Sequence, residues 1–129
     1  MSAPIVFIST FRIKDGKLDA FKEHFGGNVP GMEASKPGTA VFYGYLNETG
    51  TQLKIVHLFP DAEAMDAHVE GVEVREKQAF GCIEPLSWDV YGSPSDNARE
   101  PIRQAAQRSG AELVVYPNPL AGYAHLSAA

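Results

Sequence analysis

Histidines are the residues of this 129-residue chain with the clearest potential for chemistry. An imidazole titrates near neutrality, so it can accept or donate a proton at physiological pH. The chain has no phosphate-binding glycine loop, no GxSxG elbow and no dinucleotide-binding fingerprint, so it predicts no cofactor. Its four histidines form no HxH or HxxxH pair and predict no metal site: His24, His57, His68 and His125.

His68 lies in the stretch DAEAMDAHVEG, residues 61–71, where small, acidic and apolar residues have helical spacing. Asp61 suits the N-cap of that helix. With Met65 at the centre of the apolar arc, His68 lies about 60° to one side, at the border of the buried stripe. Two interpretations stay open: a packing residue held by one hydrogen bond, or a pocket-lining proton donor or acceptor. The second makes His68 a candidate catalytic residue.

His57 belongs to the strand QLKIVHLF and shares a face with Leu53, Ile55 and Phe59. It is therefore expected to be at least partly buried, either as a core histidine satisfied by a neighbour or as a pocket residue. On the second interpretation it is the other candidate catalytic group.

Aromatic residues follow the strands at alternating positions. Tyr43 and Tyr45 lie in the hairpin partner of the His57 strand, and Trp88 lies in the last strand of the predicted core. Such residues pack a core or a dimer, but around a cavity they would stack a flat aromatic ligand. On that interpretation Tyr43, Tyr45 and Trp88 bind substrate, and Asn47 helps to orient its polar edge.

The elements that position these residues follow from periodicity. PIVFISTFRI predicts a strand, and KLDAFKEHF predicts a helix that ends near Gly26 and Gly27. TAVFYGYLN and QLKIVHLF flank ETGT, which is the pattern of an antiparallel hairpin. The helix that starts at Asp61 follows, and LSWDVYG (86–92) predicts a fourth strand. The order is βαββαβ.

Two right-handed crossovers in this order give a ferredoxin-like α+β fold, with a four-stranded antiparallel sheet and both helices on one face. The other face would carry alternating apolar and aromatic side chains from all four strands. An exposed patch of that size usually marks an interface or a ligand site. We therefore expect a homodimer in which two sheets pack face to face and form a dimeric α/β barrel.

Residues 1–92 form the predicted barrel core, and residues 93–129 form a C-terminal helix-strand extension of the same domain. NAREPIRQAAQRSG has Ile102, Ala105 and Ala106 on one stripe and ends at Gly110, and AELVVYP follows as a strand. The extension could cover the barrel edge, enlarge the dimer interface or close a pocket, and the sequence leaves these alternatives open.

Composition excludes several classes of partner. The chain is 44% hydrophobic and carries a net charge of −5, with single, scattered basic residues. Nucleic acids and anionic membranes both require concentrated positive charge, so neither is an expected partner. No apolar stretch approaches the roughly 20 residues of a membrane-spanning helix, and a cytoplasmic location is the expectation.

The single cysteine, Cys82, is predicted to be a small packing residue.

The stretches FRIKDGKLDAFKEHF and KPGTAVFYGYLNETGTQLKIVHLFPDAEAMDAHVEG resemble the antibiotic biosynthesis monooxygenase-like family of dimeric α/β barrels. The shared features are the GKxxxF entry to the first helix, PG before the second strand, and DAEAMDAH opening the second helix. The resemblance covers about residues 5–91. Many relatives carry a second histidine in the turn after the second helix, where this chain has Glu73.

The resemblance implies a homodimer with pockets between the helices and the sheet. It also implies, as one hypothesis, a cofactor-independent monooxygenase that deprotonates a small aromatic or polycyclic phenol or hydroquinone, whose carbanion then reduces dioxygen. The alternative is a non-catalytic dimer that binds a small apolar metabolite or serves as a scaffold. Haem degradation is disfavoured, because Ser9 and Thr10 stand where that branch requires an asparagine.

Overall fold

The computed structural model describes residues 3–126, without the side chains of residues 72–74 and 76. Over these residues the chain forms five strands and four helices in this order: β1 (Ile5–Ile13), α1 (Leu18–Ser35), β2 (Val41–Leu46), β3 (Gln52–Phe59), α2 (Ala62–Val69), α3 (Val72–Ala79), β4 (Ile83–Tyr91), α4 (Asp96–Ser109) and β5 (Glu112–Tyr116).

The strands form one sheet in the order β2-β3-β1-β4-β5. Its first four strands are antiparallel neighbours, and β5 pairs with β4 in parallel through the crossover helix α4. The ferredoxin-like α+β fold and its C-terminal helix-strand extension are thus confirmed, with β5 making the sheet mixed. The fourth strand starts earlier than predicted, at Ile83, because a register shift between Thr10 and Phe11 lets β1 pair with Pro85.

One face of the sheet, the covered face, carries the core. Strand alternation places Phe7, His57 and Phe59 on this face, where α2 and α4 pack over them. A second apolar cluster surrounds Phe21 of α1 and Ile83 of β4. The predicted position of both core helices on one face is therefore correct.

Helix α1 does not end at Gly26 and Gly27, as the sequence suggested, but continues to Ser35 through Pro30. The paired glycines lower helix propensity without forbidding the helix, since neither has a positive φ. Tertiary packing decides the outcome. One face of the long helix borders the space above the sheet with residues at helical spacing: Phe21, His24, Phe25, Asn28 and Met32.

Helix α2 begins as predicted, because the Asp61 carboxylate accepts a hydrogen bond of 2.8 Å from the Ala64 amide. It ends at Val69, and Gly71 takes a left-handed φ of 79° before α3 begins. A residue with a side chain is strained in that conformation, so Gly71 allows the chain to turn between two short helices. The segment after the helix that carries His68 thus forms a separate short helix, α3.

Helix α4 buries the predicted stripe of Ile102, Ala105 and Ala106 against the core. It ends at Gly110, which has a left-handed φ of 76° as expected for a C-terminal glycine. At its start, the Ser95 hydroxyl donates a hydrogen bond to the carboxylate of Asp66 on α2. The extension therefore packs over the covered face beside α2.

On the opposite face of the sheet, the open face, none of the helices within residues 3–126 packs. Val6, Ile8, Val56 and Leu58 lie there in register on the two central strands. Two tyrosine pairs stack at its sides, Tyr43 with Tyr45 and Tyr91 with Tyr116. Among the helices that the structure describes, none is both long and apolar enough to span a bilayer.

Candidate functional site

A cavity of about 160 Å³ lies between the covered face of the sheet and the helices. Phenylalanines provide much of its lining, from Phe7 and Phe11 on β1 to Phe42 on β2. Helix α4 adds Ile102 and Ala105, so part of the C-terminal extension forms a wall of the cavity. The exposed side chains of Asn28 and Gln78 mark the side nearest the solvent.

His57 lies on the floor of this cavity, in register with Phe7 on one side and Phe42 on the other. Its Nδ1 is 2.9 Å from the Phe7 carbonyl oxygen, and its ring stacks on that of Phe7 with centroids 4.8 Å apart. Because a carbonyl only accepts hydrogen bonds, Nδ1 carries the hydrogen and Nε2 presents a lone pair.

Burial is the main reason that His57 stays neutral. Only 5% of the residue is exposed, and loss of hydration lowers its pKa from 6.5 to about 4. The hydrogen bond to the Phe7 carbonyl partly offsets this effect, since it favours the charged ring, and the positive charge of Arg75 adds to the lowering of the pKa. His57 is thus an uncharged hydrogen-bond acceptor at neutral pH.

His68 projects from α2 to the edge of the His57 ring, with ring centroids 5.0 Å apart. Its Nδ1 lies 2.9 Å from the Thr39 hydroxyl, and it is 4% exposed. Burial is the main cause that lowers the pKa of His68 to about 2. Electrostatic repulsion from His57, Arg75 and Lys36 lowers this pKa further, in that order. Two neutral imidazoles therefore meet at an angle of 78° beside the cavity.

Two cations hold the end of α2 that carries His68. The Lys36 ammonium donates to the Ala67 carbonyl at 2.6 Å, and the Arg75 guanidinium donates to the His68 carbonyl at 2.7 Å and to the Glu70 carbonyl at 3.0 Å. Cations suit this position because the final carbonyls of a helix lack intrahelical partners. Arg75 also lines the cavity, which places a positive charge at the site.

Trp88 and Ser9 are cross-strand neighbours on the covered face and both line the cavity. Trp88 is only 5% exposed, and its Nε1 is buried without a hydrogen-bond partner among the described residues. Such a donor normally finds a partner when it is buried.

The remaining predicted site residues lie elsewhere. Tyr43 and Tyr45 are on the open face, 62% and 58% exposed, because they alternate with the inward-facing Phe42 and Gly44. Asn47 shapes the hairpin turn, where its side-chain oxygen accepts from the amides of Thr51 and Gln52. The structure therefore brings together His57, His68 and Trp88, and separates from them Tyr43, Tyr45 and Asn47.

Sequence reasoning missed several cavity residues. Ser9 had a usable signal, since it alternates onto the same face as Phe7 and Phe11. Arg75 had none, because its position depends on the turn between α2 and α3. The Glu73 side chain is outside the described residues. Within residues 3–126, so far as side chains are described, no group of three or more potential metal ligands occurs.

Comparison with known proteins identifies the family. A family model described as antibiotic biosynthesis monooxygenase matches residues 4–79, which is more than half of the chain. No curated protein matches the sequence. A solved structure of MupZ from Pseudomonas fluorescens is similar in fold, with 17% identity and a TM-score of 0.68 over 95% of this chain and 91% of that one. So extensive a match includes most of the C-terminal extension.

Two further solved structures match a smaller part of the chain. A candidate antibiotic biosynthesis monooxygenase from Caulobacter crescentus CB15 has 16% identity and a TM-score of 0.60, covering 69% of this chain and 88% of that chain. A conserved protein from Methanosarcina mazei Go1 has 15% identity and a TM-score of 0.59, covering 70% and 92%. At such identities these matches establish the fold alone. Through its family model, the chain belongs to the antibiotic biosynthesis monooxygenase family.

Proposed function

We propose that this protein is a cofactor-independent monooxygenase acting on a small aromatic substrate that carries a hydroxyl group. The observation that carries the proposal is His57, a buried neutral imidazole whose Nδ1 is engaged by the Phe7 carbonyl. Its other nitrogen, Nε2, is the atom available to a ligand in the cavity that it lines. A phenol hydroxyl would donate to that lone pair.

Cavity size favours a single ring over a polycyclic substrate. A dry cavity of roughly 150 Å³ in a protein core holds one benzene molecule, and the cavity here measures about 160 Å³. Phe7, Phe42 and Trp88 all line the cavity and provide aromatic faces and edges for such a ring. The proposal therefore assigns substrate contact to Trp88 and does not include Tyr43, Tyr45 or Asn47.

The proposed reaction begins with transfer of the phenol proton to His57 Nε2. The resulting anion is electron-rich at a ring carbon and transfers an electron to dioxygen, and recombination of the two radicals forms a carbon–oxygen bond. The peroxide takes up a proton, and loss of the carbon-bound hydrogen with O–O cleavage releases water and leaves a quinone. Phenol plus dioxygen thus gives para-quinone plus water, with dioxygen as the sole oxidant and a water-poor cavity protecting the anion.

Charge coupling makes His57 a usable base despite its low pKa. Without a ligand, a His57 imidazolium would be stripped of its hydration by burial, which is the main reason that the pKa of His57 falls. Once the phenol proton has moved, the phenolate lies beside the new imidazolium, and an adjacent opposite charge favours the ionised form. His68 lies next to His57 and is proposed to assist by taking part in the proton transfers.

Oxygen consumption tests this function. With a panel of one-ring phenols and hydroquinones, we expect oxygen uptake accompanied by quinone absorbance. His57→Gln should lower kcat/KM by about 10²–10⁴-fold, the usual contribution of a general base. Tyr45→Phe, on the open face, is the matched control and should retain activity. Absence of uptake across the panel, or wild-type activity in folded His57→Gln, would refute the proposal.

A second candidate is a protein that binds an aromatic metabolite without turnover. The low pKa of both imidazoles favours it, because a weaker base accepts a proton less readily. Stoichiometric binding of a phenol by calorimetry, with neither oxygen uptake nor any change in the recovered ligand, would select this alternative.

We further propose that the protein forms a homodimer through the open face, where apolar side chains from β1 and β3 lie together and none of the described helices covers them. Contiguous apolar surface of this kind is typical of interfaces. Analytical ultracentrifugation should give twice the protomer mass, and Leu58→Lys should give a monomer. Gln104→Lys on the exposed side of α4 is the control. A monomeric wild-type protein at micromolar concentration would overturn this proposal.

The cytoplasmic location stays a prediction from the sequence.

A further inference from the structure

One wall of the cavity comes from the C-terminal extension. Ile102 and Ala105 of α4 line the cavity, although α4 begins at Asp96 and the family model matches residues 4–79. The extension therefore contributes to the site from outside the segment that the family model describes. Its contribution is one of shape, because both side chains are apolar and offer no hydrogen bond or charge to a ligand.

The buried stripe of α4 contains one large side chain. The structure describes α4 in full, and the buried residues of this helix are Ala98, Ile102, Ala105 and Ala106. The alanines project only a methyl group, so the helix can pack close to its neighbours. Ile102 extends farther and is only 3% exposed. It is therefore the α4 side chain that determines how far this wall reaches into the cavity.

Contacts at both ends of α4 hold this wall in place. At the start of the helix, the Ser95 hydroxyl donates a hydrogen bond to the Asp66 carboxylate of α2. Beyond its end, β5 pairs with β4, and Leu113 and Val115 of β5 pack against the core cluster that contains Ile102. Widening the cavity on this side therefore requires the loss of packed contacts, which a close-packed interior resists.

The wall borders the part of the cavity that holds the proposed base. Ile102 belongs to the same core cluster as Phe7 and Trp88, whose rings meet edge to face with centroids 6.3 Å apart. The His57 ring stacks on the ring of Phe7. A ligand whose hydroxyl reaches His57 therefore lies in the part of the cavity that this cluster surrounds, with Ile102 as one of its boundaries.

We infer that Ile102 is a specificity-determining residue, which limits the ligand of this cavity to a single aromatic ring. The cavity of about 160 Å³ has room for one ring. A fused second ring needs space that the Ile102 side chain occupies, and forcing extra atoms into a packed site strains it. This inference rests on the proposed function, since it names the residue that sets the size of the substrate proposed there.

Binding of phenol and of 1-naphthol to the full-length protein, measured by calorimetry without dioxygen, tests the size limit apart from any turnover. The wild-type protein should bind phenol at least about tenfold more tightly, because one excess methylene in an apolar pocket already changes selectivity by about 10–200-fold. Ile102→Ala removes a volume comparable to the second ring. It should tighten 1-naphthol binding at least about tenfold and weaken phenol binding through lost contacts.

Ile5→Ala is the matched control. Ile5 is 2% exposed and belongs to the same core cluster, but it is not among the described residues that line the cavity. The substitution removes the same atoms and should leave the preference for phenol unchanged. Ile102→Val is the milder variant and should shift both affinities in the same directions as Ile102→Ala, by smaller factors. Circular dichroism checks that each variant is folded, and Ile102→Val decides if Ile102→Ala does not fold.

Wild-type binding of 1-naphthol as tight as that of phenol would overturn the inference. An unchanged preference in the folded Ile102 variants would also overturn it, as would an equal shift of preference in Ile5→Ala. Oxygen uptake with equal kcat/KM for phenol and 1-naphthol would leave the proposed function standing and refute the size limit. A reversed preference in Ile102→Ala without any uptake by the wild-type protein would do the opposite. Failure of the wild-type protein to bind either compound would refute both.

Discussion

The buried histidine pair makes the stability of this protein dependent on acid, and the effect can be calculated for His57. Its pKa is about 4 in the folded chain, against 6.5 for an unperturbed imidazole. The unfolded chain therefore binds a proton that the folded chain excludes. Folding stability is fully present above the unfolded pKa of 6.5 and is lost as pH falls, with the whole loss reached below the folded pKa of 4.

Around pH 5, an unfolded imidazole is mostly protonated while folded His57 is mostly neutral, and the linkage relation gives a loss of about 2 kcal/mol relative to pH 7. His68, whose pKa is about 2, adds a loss of similar size. Together these losses of about 4 kcal/mol are a large part of the 5–15 kcal/mol that stabilises a typical domain. The protein should therefore weaken at a pH where most of its carboxylates are still ionised.

Urea unfolding measured through Trp88 fluorescence tests this expectation, since Trp88 is the single tryptophan. The free energies of unfolding at pH 7 and around pH 5 are compared at one protein concentration, because association would add to apparent stability. His57→Gln should remove about half of the pH-dependent loss, about 2 kcal/mol. His125→Gln, on the exposed tail, is the control. Equal losses in wild type and in folded His57→Gln would show that His57 titrates normally and would refute the reasoning.

Three further predictions concern the helices. Ala105→Leu on α4 should fill part of the cavity and weaken the binding of one-ring ligands, as measured by calorimetry. It should also cost about 1–3 kcal/mol in stability through overpacking. Undiminished ligand affinity would place the ligand elsewhere. Asp61→Ala should cost about 1 kcal/mol in urea unfolding by removing the N-cap hydrogen bond to Ala64, and no loss would mean that solvent replaces this bond. Gly27→Ala should raise stability by up to about 1 kcal/mol, because the added Cβ meets open space inside a helix; a loss would argue against helical structure at this position.

Periodicity predicted the fold because each element buries a face with its own spacing. The alternation of β1 and β3 placed His57 with Phe59, and the caps at Asp61 and Gly110 marked helix ends that the structure has. Helix α1 shows the limit of local signals. Its glycines predicted an end that packing over the sheet overrides, because Met32 gains cavity contacts only if the helix continues.

The site was harder to predict because it depends on tertiary placement. Alternation could not show which face of the hairpin the helices cover, and the aromatic residue predicted to contact a ligand was Tyr43, not its neighbour Phe42. Only Phe42 lines the cavity. The turn at Gly71 brings Arg75 to the site, and the crossover from β4 to the parallel strand β5 brings Ile102 there. Neither placement can be predicted from the local sequence.

The second half of α1 has a kinetic consequence. Gly26, Gly27 and Gly31 each cost about 1 kcal/mol of helix propensity relative to alanine, and Pro30 lacks the amide that would bond to the preceding turn. This half also carries Asn28 and Met32 beside the solvent side of the cavity. The wall nearest the solvent is thus the part of α1 with the lowest intrinsic helix propensity, so one turn unwinds there more readily than in the first half of the helix, while the sheet floor that holds His57 and Trp88 stays intact.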